Sequence, residues 1–385
     1  MKIIITVNTY YPLKDGVQAV TEYQAEGLAK RGHDVTILTT TNGNAPLKEV
    51  YNDVEIIRLN IHTVHAIHRG DKKQYQKFIL DITKNADALI NVCTQTALTD
   101  WVLPILDKIN CVKFLYMHGM IDFKWYSKDF YSLKAILHKT WNNSRWFYLY
   151  NYLGKYFKNY NYVSQLHCFD RGYCYFQKHY NIKSVILENA ADNDFFNYSN
   201  DKSIDFKRKY LIYVANYIER KNQKFCLEAF YKSECSNKYE MIFIGSEKTP
   251  YYNKLIDYDN ELSKIYGKKN VCFLTDIPRN EVYLYVKNAS IYLMGSRWEA
   301  FPISIIEAMA AGVPYISTNV GCVRFFPGGV IVNNISEMVY WINQLINDEN
   351  LMYSIGESGR IYALSKFTIE SKVTQLEKYL KLEEV

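Results

Sequence analysis

Residues 291–314, IYLMGSRWEAFPISIIEAMAAGVP, contain the pattern that decides the fold. Four apolar residues, Ile291–Met294, predict a buried strand that is followed by a short loop. Pro302 is predicted to be the first residue of a helix, where its missing N–H has no cost, and Gly312 and Pro314 end that helix. The stretch therefore predicts a strand, a loop, a helix and a second strand of a parallel α/β sheet.

Apolar segments alternate with amphipathic segments along the whole chain of 385 residues, which indicates parallel sheets covered by helices on both faces. Before a polar segment at 190–208, strands are predicted at 2–7, 34–40, 54–59, 88–93, 112–117, 162–164 and 184–187. After it, strands are predicted at 211–215, 240–244, 271–274, 291–294, 314–317 and 330–332. Helices are predicted at 17–31, 72–84, 96–109, 127–157 and 369–382.

Two such series predict an α/β protein with two Rossmann-like, doubly wound parallel-sheet domains. The first domain is expected in residues 1–190 and the second in 205–367, and the C-terminal helix, 368–385, is expected to pack back on the first. Ligands bind at the carboxyl ends of the strands in such sheets, so the site is expected in the cleft between the domains.

The composition excludes several classes of protein. No run of about 18 apolar residues occurs, so no helix is expected to span a membrane. Eight cysteines without a Cys-x-x-Cys pair argue against a disulfide framework or a zinc site. The N-terminus, MKIIITVNTYY, lacks the features of a signal peptide, which favours the cytoplasm. The sequence contains neither the Gly-x-Ser-x-Gly motif of hydrolases nor the Walker loop of NTPases, so neither function is supported.

A basic segment with many aromatic residues lies at 124–158. It contains seven cations and one acid, so its excess of +6 equals that of the whole chain. Lysine beside tryptophan and tyrosine suits the headgroup region of an anionic membrane. The alternative is a solvated helix face whose aromatic residues point inward. Nucleic acid is less favoured because no motif for its recognition accompanies the segment.

Two carboxylates flank the predicted start of the helix after residue 302. The free N–H groups and the dipole of a helix start bind anions, whereas a carboxylate suits sugar hydroxyls. Glu299 before the helix and Glu307 within it therefore indicate a phosphate bridge between two polyols, as in a nucleotide-sugar. The alternative is a surface glutamate and a helix-face glutamate beside a tight turn.

The setting of Glu299 and Glu307, Glu-Ala-Phe-Pro-x-x-x-x-Glu-Ala-Met-Ala-x-Gly-x-Pro, resembles that of the retaining GT-B glycosyltransferases, in particular family 4. Only Ala300 departs from it, because the family usually has glycine there. The resemblance implies that Glu307 holds the ribose hydroxyls and Glu299 those of the donor sugar. By the same resemblance, the sugar–phosphate region is lined by the backbone of Phe301, Pro302 and Ile303.

Residues 211–223, LIYVANYIERKNQ, resemble the family's strand and basic diphosphate loop. Lys221 falls on the family's lysine, whereas Asn216 stands where the family usually has arginine, and Arg220 is the neighbouring residue that could replace it. An exposed basic pair at a helix start is the alternative. If the partner of Lys221 is a phosphate, its loss is expected to affect turnover more than stability.

In the first half, Gly16 lies in the family's glycine loop after the first strand, and a glycine permits a ligand to approach the backbone closely. His118, at a strand end, matches the family's site histidine and is a plausible contact of the donor sugar; the alternative is a packed loop histidine.

Two patterns permit a metal site. Asp192 and Asp194 form an Asp-x-Asp pair, but their setting resembles the family's Asn-Gly-x-Asp at the linker between domains. His62, His65 and His68 recur at every third residue of a predicted polar loop that has no nearby carboxylate. Neither pattern is favoured as a metal site, and no cofactor is expected.

The resemblance implies a cytoplasmic, metal-independent, retaining hexosyltransferase with His118, Glu299 and Lys221 as its catalytic residues. Its donor is expected to be UDP-linked, and its acceptor a glycan on a lipid carrier in bacterial cell-surface polysaccharide synthesis. No carboxylate of the first half stands out as a nucleophile, which favours front-face substitution. The alternatives are a catalytically silent partner subunit, which Asn216 leaves open, and another GT-B enzyme such as a nucleotide-sugar epimerase.

Overall fold

The structure is a computed structural model that describes residues 1–13, 16–43, 45–64, 67–120, 123, 125, 127–197 and 208–383. Some residues named in the predictions, His65, Lys124 and 198–207, lie outside the described residues, as does the side chain of Lys128.

The chain forms two compact units. The first consists of Met1–Glu188 with Lys372–Val385, and the second of Asn189–Ser371. Each unit contains one large sheet with helices packed against it, which is the arrangement that strands apolar along their whole length require.

The first unit contains ten strands and five α-helices among its described residues before Glu188. The strands are β1 (Lys2–Thr6), β2 (Asp34–Thr40), β3 (Lys48–Tyr51), β4 (Val54–Leu59), β5 (His62–Val64), β6 (Ile67–Arg69), β7 (Ala88–Val92), β8 (Val112–Tyr116), β9 (Tyr162–Gln165) and β10 (Val185–Ile186). The helices are α1 (Gly16–Lys30), α2 (Lys72–Thr83), α3 (Ala97–Asp100), α4 (Leu133–Phe147) and α5 (Arg171–Tyr180).

The second unit has six strands in its sheet. These are β11 (Tyr210–Val214), β12 (Glu240–Ile244), β13 (Asn270–Leu274), β14 (Ile291–Met294), β15 (Tyr315–Thr318) and β16 (Gly329–Val332). Its helices are α6 (Gln223–Lys232), α7 (Pro250–Tyr266), α8 (Arg279–Lys287), α9 (Ile303–Ala310), α10 (Ile335–Asn347) and α11 (Glu349–Lys366).

The last helix, α12 (Ile369–Leu380), belongs to the first unit from Lys372 onward. A Cβ placed on Gly27 of α1 would lie 2.5 Å from Val373, so glycine permits the two helices to pack closely. Lys372 forms an ion pair of 2.9 Å with Glu188 in the same unit.

The two large sheets have the same kind of strand order. In the first unit the order is β10-β9-β8-β7-β1-β2-β4-β3, and every pairing is parallel except that of β3 with β4. In the second unit the order is β13-β12-β11-β14-β15-β16, and every pairing is parallel. The order reverses direction between β7 and β1 and between β11 and β14. The predicted fold of two Rossmann-like, doubly wound domains is confirmed.

The predicted long helices are interrupted. Residues 96–109 form α3 and then a 3₁₀ helix, Leu103–Lys108, which has a proline in its first turn. Residues 127–157 form a 3₁₀ turn, then α4, then a π-helical stretch Tyr148–Leu153 and a second 3₁₀ helix Gly154–Asn159. Periodicity of apolar residues locates a helical segment but does not distinguish these hydrogen-bonding patterns.

The prediction of a polar loop around His62 and His68 was wrong. These residues lie in β5 and β6, which pair as an antiparallel hairpin. The edge strand β3 was also missed. Such strands are short and partly exposed, so they lack the continuous apolar run that marks a buried strand.

Candidate active site

The candidate site lies where the strand order of the second sheet reverses. β11 is hydrogen-bonded to β12 on one side and to β14 on the other. The loop 215–222 leaves the carboxyl end of β11, and the loop 295–302 leaves that of β14. A reversal of strand order opens a crevice at the carboxyl ends of such sheets, and ligands bind there.

One backbone hydrogen bond and one side-chain hydrogen bond join these two loops. The N–H of Arg297 donates to the carbonyl oxygen of Arg220 over 2.8 Å. The side-chain amide of Asn222 donates to the carbonyl oxygen of Gly295 over 3.1 Å. A Cβ on Gly295 would lie 2.8 Å from the carbonyl oxygen of Asn222, so only glycine permits this approach. The two loops therefore hold each other in place.

Glu299 is the centre of a charged cluster. Its carboxylate is 2.7 Å from the ammonium of Lys221 and 3.6 Å from the guanidinium of Arg220. It also accepts a hydrogen bond of 2.7 Å from the hydroxyl of Ser296, and its side chain is only 8% exposed. Arg220 lies over the ring of Trp298, 5.3 Å from its centroid. Two cations therefore converge on one buried carboxylate.

This cluster corrects the expectation for Lys221. From the sequence, its partner was expected to be a phosphate that is absent from the free protein. In the structure it is paired with Glu299, because the interlocked loops place both residues at the same end of the sheet. The alternative of an exposed basic pair does not describe Lys221, which is 19% exposed, although Arg220 is 42% exposed.

Glu307 also has a basic partner. It lies on α9 with a buried side chain and accepts a hydrogen bond from the guanidinium of Arg279, the first residue of α8. Arg279 lies over the ring of Phe195, 5.7 Å from its centroid. Arg279 was not predicted from the sequence, because no motif links it to Glu307 and only the packing of α8 against α9 brings them together.

The start of α9 differs from the prediction in one respect. Pro302 is the N-cap and not the first helical residue, because its ψ of 110° is extended and α9 begins at Ile303. Phe301 is buried, with its ring 5.7 Å from that of Phe367. The carbonyl oxygen of Phe301 accepts a hydrogen bond of 3.4 Å from the amide of Asn189.

Gly321 supports the turn that contains Ala300. A Cβ there would lie 2.5 Å from the carbonyl oxygen of Ala300, and its φ of +53° is one that favours glycine. The loop between β15 and β16 therefore packs closely against the backbone beside Glu299. Gly321 was not predicted from the sequence, since an isolated glycine in a loop does not indicate which residues it contacts.

The other predicted site residues, Asn216, Gly16 and His118, are not part of the charged cluster around Glu299. Asn216 is exposed and lies in the loop after β11, where its carbonyl oxygen accepts a hydrogen bond of 3.0 Å from Gln223. Gly16 and His118 belong to the first unit. Gly16 begins α1, and a Cβ there would meet nothing within 4 Å. His118 follows β8, with its ring 4.4 Å from that of Tyr116.

Among the described residues, no group of three or more His, Cys, Asp or Glu side chains is placed to hold a metal ion, and His65 of the histidine pattern lies outside those residues. Asp192 caps a 3₁₀ turn by accepting the N–H of Asp194 over 3.2 Å. Burial and the neighbouring charge of Asp192 raise the pKa of Asp194. His68 has a carboxylate partner that the sequence did not reveal, Asp100, at 2.9 Å.

Comparison with known structures agrees with this architecture. A glycosyltransferase of Rickettsia africae superposes with a TM-score of 0.75 at 16% identity, over 99% of this chain and 97% of that one. The Anabaena protein HepE, solved with UDP and glucose, superposes with a TM-score of 0.68 at 13% identity, over 99% of each chain. At these identities the likeness establishes the fold, which is that of the GT-B glycosyltransferases.

Sequence comparison adds a family match within the second unit. Residues 194–361 match the family Glycosyl transferases group 1. A Staphylococcus aureus relative, the capsular polysaccharide biosynthesis glycosyltransferase CapH, is 30% identical over 122 residues, which are 31% of this chain and 33% of that protein. Alignments to CapH and three other curated relatives span only 30% to 45% of their lengths.

Proposed function

We propose that this protein is a glycosyltransferase that moves a sugar from a UDP-linked donor to an acceptor hydroxyl with retention of anomeric configuration. The observation that carries the proposal is the pair of interlocked loops between β11 and β14. They bring the buried Glu299 and its two cations to the edge of the sheet where ligands bind in such folds. Glu307, with its partner Arg279, lies on α9, the helix that follows the second loop.

The chemistry of these residues fits a nucleotide-sugar. Lys221, Arg220 and the N-terminus of α9 would stabilise the leaving diphosphate, on which negative charge develops as the glycosidic bond breaks. Arg220 would thereby replace the arginine that the family usually has at the position of Asn216. Glu299 would accept hydrogen bonds from the donor sugar and Glu307 from the ribose, because a carboxylate accepts two hydroxyls of a vicinal diol.

The cations already paired with both glutamates shape the expected binding step. A diphosphate entering beside Glu299 would share Lys221 with that carboxylate, which restrains the ammonium in position before the donor arrives. A ribose entering at Glu307 would share or displace Arg279. Preorganised charges of this kind lower the barrier because they need little reorganisation during the reaction.

The activity is proposed to need no metal, since cations of the protein would neutralise the diphosphate. The proposed acceptor is a glycan on a lipid carrier in cell-surface polysaccharide synthesis, and the relative CapH supports this context. Such an acceptor would place the enzyme at the inner face of the cell membrane, in contact with it through the segment 124–158. His118 is proposed to contact the donor sugar from the first unit.

The decisive experiment is titration of the purified protein with UDP and UDP-sugars, by calorimetry and by thermal shift. A ligand that binds only the folded state raises the melting temperature by mass action. Glu307→Gln is the matched variant, because it keeps the shape of the side chain but removes the charge that accepts the ribose hydroxyls. Equal UDP affinity in both proteins would refute the placement of the ribose.

The pairing of both glutamates with cations also favours a second candidate, a catalytically silent binding subunit. In such a protein the ion pairs would be permanent and the site would never turn over. Incubation with UDP-sugars in the absence of acceptor distinguishes the two, because an enzyme slowly releases UDP by hydrolysis and a silent subunit releases none. The anomeric configuration of a transferred sugar, determined by NMR, tests retention.

A further inference from the structure

One helical face in the first unit exposes an unusual amount of apolar surface. Large apolar side chains on α4 and the π-helical stretch after it are between 50% and 73% exposed, namely those of Leu133, Leu137, Trp141, Phe147, Tyr148 and Tyr152. Most are separated by four or seven residues, which places them along one side of a helix. We call this surface the apolar face. Folded proteins seldom expose such a contiguous patch without a partner for it.

The opposite side of the same segment is firmly anchored. Trp146, Leu149 and Tyr150 are buried and belong to the core that also contains Leu98 and Trp101. The rings of Trp146 and Tyr150 stack with centroids 5.3 Å apart. The packing of these core residues keeps the apolar face exposed, because a rotation of the helix that buried this face would expose the core residues.

The charged residues near the apolar face in sequence are mostly positive. Lys134, Lys155 and Lys158 are exposed beside it, and Asp129 is the only acidic residue in 127–158. Lys155 lies 5.0 Å from the ring centroid of Tyr152, so its cation is carried at the border of the aromatic surface. Apolar and aromatic side chains bordered by lysine match the interface of an anionic bilayer, where rings lie at headgroup level and lysine contacts phosphates.

The core beneath the apolar face includes residues that follow the carboxyl end of β7. Ala97, Leu98 and Trp101 lie in and next to α3, which begins five residues after that strand ends. β7 and β1 are the strands between which the order of the first sheet reverses, so a ligand of this unit is expected at their carboxyl ends. The buried side of the segment that carries the apolar face therefore packs on the structure that borders this edge.

We infer that the apolar face inserts into the headgroup layer of an anionic membrane and thereby presents the carboxyl edge of the first sheet to a substrate carried by the lipid. The chemistry it recognises is a negatively charged bilayer surface with accessible acyl chains. This inference deepens the proposed contact of the segment 124–158 with the membrane and rests on the proposed function only for the nature of the acceptor.

The test is sedimentation of the full chain with vesicles of phosphatidylcholine alone and with vesicles containing phosphatidylglycerol. The protein should bind the anionic vesicles and be released by high salt, because screening shortens the field of the charges. Replacing Lys134, Lys155 and Lys158 with glutamine should weaken binding about 100-fold, since each lysine near such a surface contributes about fivefold. Unchanged binding by this variant, or equal binding to neutral vesicles, would overturn the electrostatic part of the inference.

The insertion is tested by the triple variant Leu133→Ser, Leu137→Ser and Trp141→Ser, which should bind at least about tenfold more weakly. Its residues are exposed, so the fold should be retained. The matched control is Tyr340→Ser, Tyr353→Ser and Ile361→Ser, which alters three side chains of the second unit that are 55% to 72% exposed and should leave vesicle binding unchanged. Equal losses in both triple variants would contradict a specific surface.

Two further measurements separate the possible results. A concentration-dependent dimer that the Leu133, Leu137 and Trp141 substitutions dissociate, with no vesicle binding by the native chain, would show that the face binds a second copy and would overturn the inference. UDP affinity is measured on the same proteins. Loss of vesicle binding with intact UDP binding shows that only the membrane surface was removed, whereas vesicle binding without any UDP binding would contradict the proposed function and leave the membrane surface standing.

Discussion

The pair formed by Lys221 and Glu299 makes the sharpest prediction, because its short distance and low exposure determine what its loss should cost in stability. Lys221→Ala removes a charged hydrogen bond of 2.7 Å to a carboxylate that is 8% exposed. A hydrogen bond to a charged group contributes about 1.5–3 kcal/mol, and breaking a fully buried ion pair costs about 3–5 kcal/mol. Lys221 is 19% exposed and Arg220 stays 3.6 Å from the carboxylate, so we expect a loss of about 2 kcal/mol.

Thermal unfolding of the ligand-free protein measures this loss. For a domain of about 150–250 residues, 1 kcal/mol corresponds to about 2–4 °C, so the melting temperature of the second unit should fall by about 4–8 °C. The matched control is Lys254→Ala, which breaks an ion pair of similar length, 2.9 Å, with Glu219 on the surface of the same unit. Both side chains of that pair are about 60% exposed, so its loss should cost less than about 1 kcal/mol.

A double-mutant cycle isolates the interaction itself. Combining Lys221→Ala with Glu299→Gln should destabilise the protein by less than the sum of the single losses, with a coupling of about 1 kcal/mol or more. If Lys221→Ala and Lys254→Ala reduce the free energy of unfolding equally, or if the losses from Lys221→Ala and Glu299→Gln are additive, the pair does not form in the free protein. Lys221 would then be held for the phosphate alone, as the sequence suggested.

Three other predictions follow from the site and the first unit. Glu307→Ala should abolish detectable UDP binding in calorimetry, because each ribose hydroxyl loses a charged acceptor that contributes about 1.5–3 kcal/mol. An unchanged affinity for UDP would show that the ribose does not bind at Glu307. Hydrogen bonds from Lys381 first, and also from Arg31 and His33, lower the pKa of Glu377 to about 2. Its stabilisation of the first unit should therefore be complete above the ordinary carboxyl pKa of about 4.3 and be lost as the pH falls toward about 2. In the Glu377→Gln variant, the melting temperature should decrease less than in the native protein as the pH is lowered through this range. An equal decrease in both proteins would contradict the prediction. Transfer activity should survive a chelator, whereas inhibition that Mn²⁺ reverses would indicate a metal site at Asp192 and Asp194.

Much of the fold could be predicted because its strands carry a local signal. The segments Asp34–Thr40, Val54–Leu59, Glu240–Ile244 and Ile291–Met294 have the predicted bounds, since a buried parallel strand is rich in apolar residues. The hairpin of β5 and β6 and the edge strand β3 could not be predicted in this way. Their residues are partly exposed, and pairing with a neighbour, rather than their own composition, makes them strands.

The sequence by itself determined the α/β class and the local setting of Glu299, Glu307 and Lys221, because the residues that form a strand end and a helix start are contiguous in the chain. Only the tertiary structure decided what each glutamate is paired with. Glu299 meets Lys221 across 78 positions and Glu307 meets Arg279 across 28, and neither distance corresponds to a helical or strand period.

The exposure of the apolar face was also decided by the tertiary structure. Its composition was evident from the sequence, but which of its aromatic residues point outward was not, because the order of the strands determines which residues pack against one side of the helix. Charge and exposure at a site depend on atoms that are distant in sequence and close in space. For that reason the chemistry of single residues could be anticipated here, whereas their pairing, burial and direction required the folded chain.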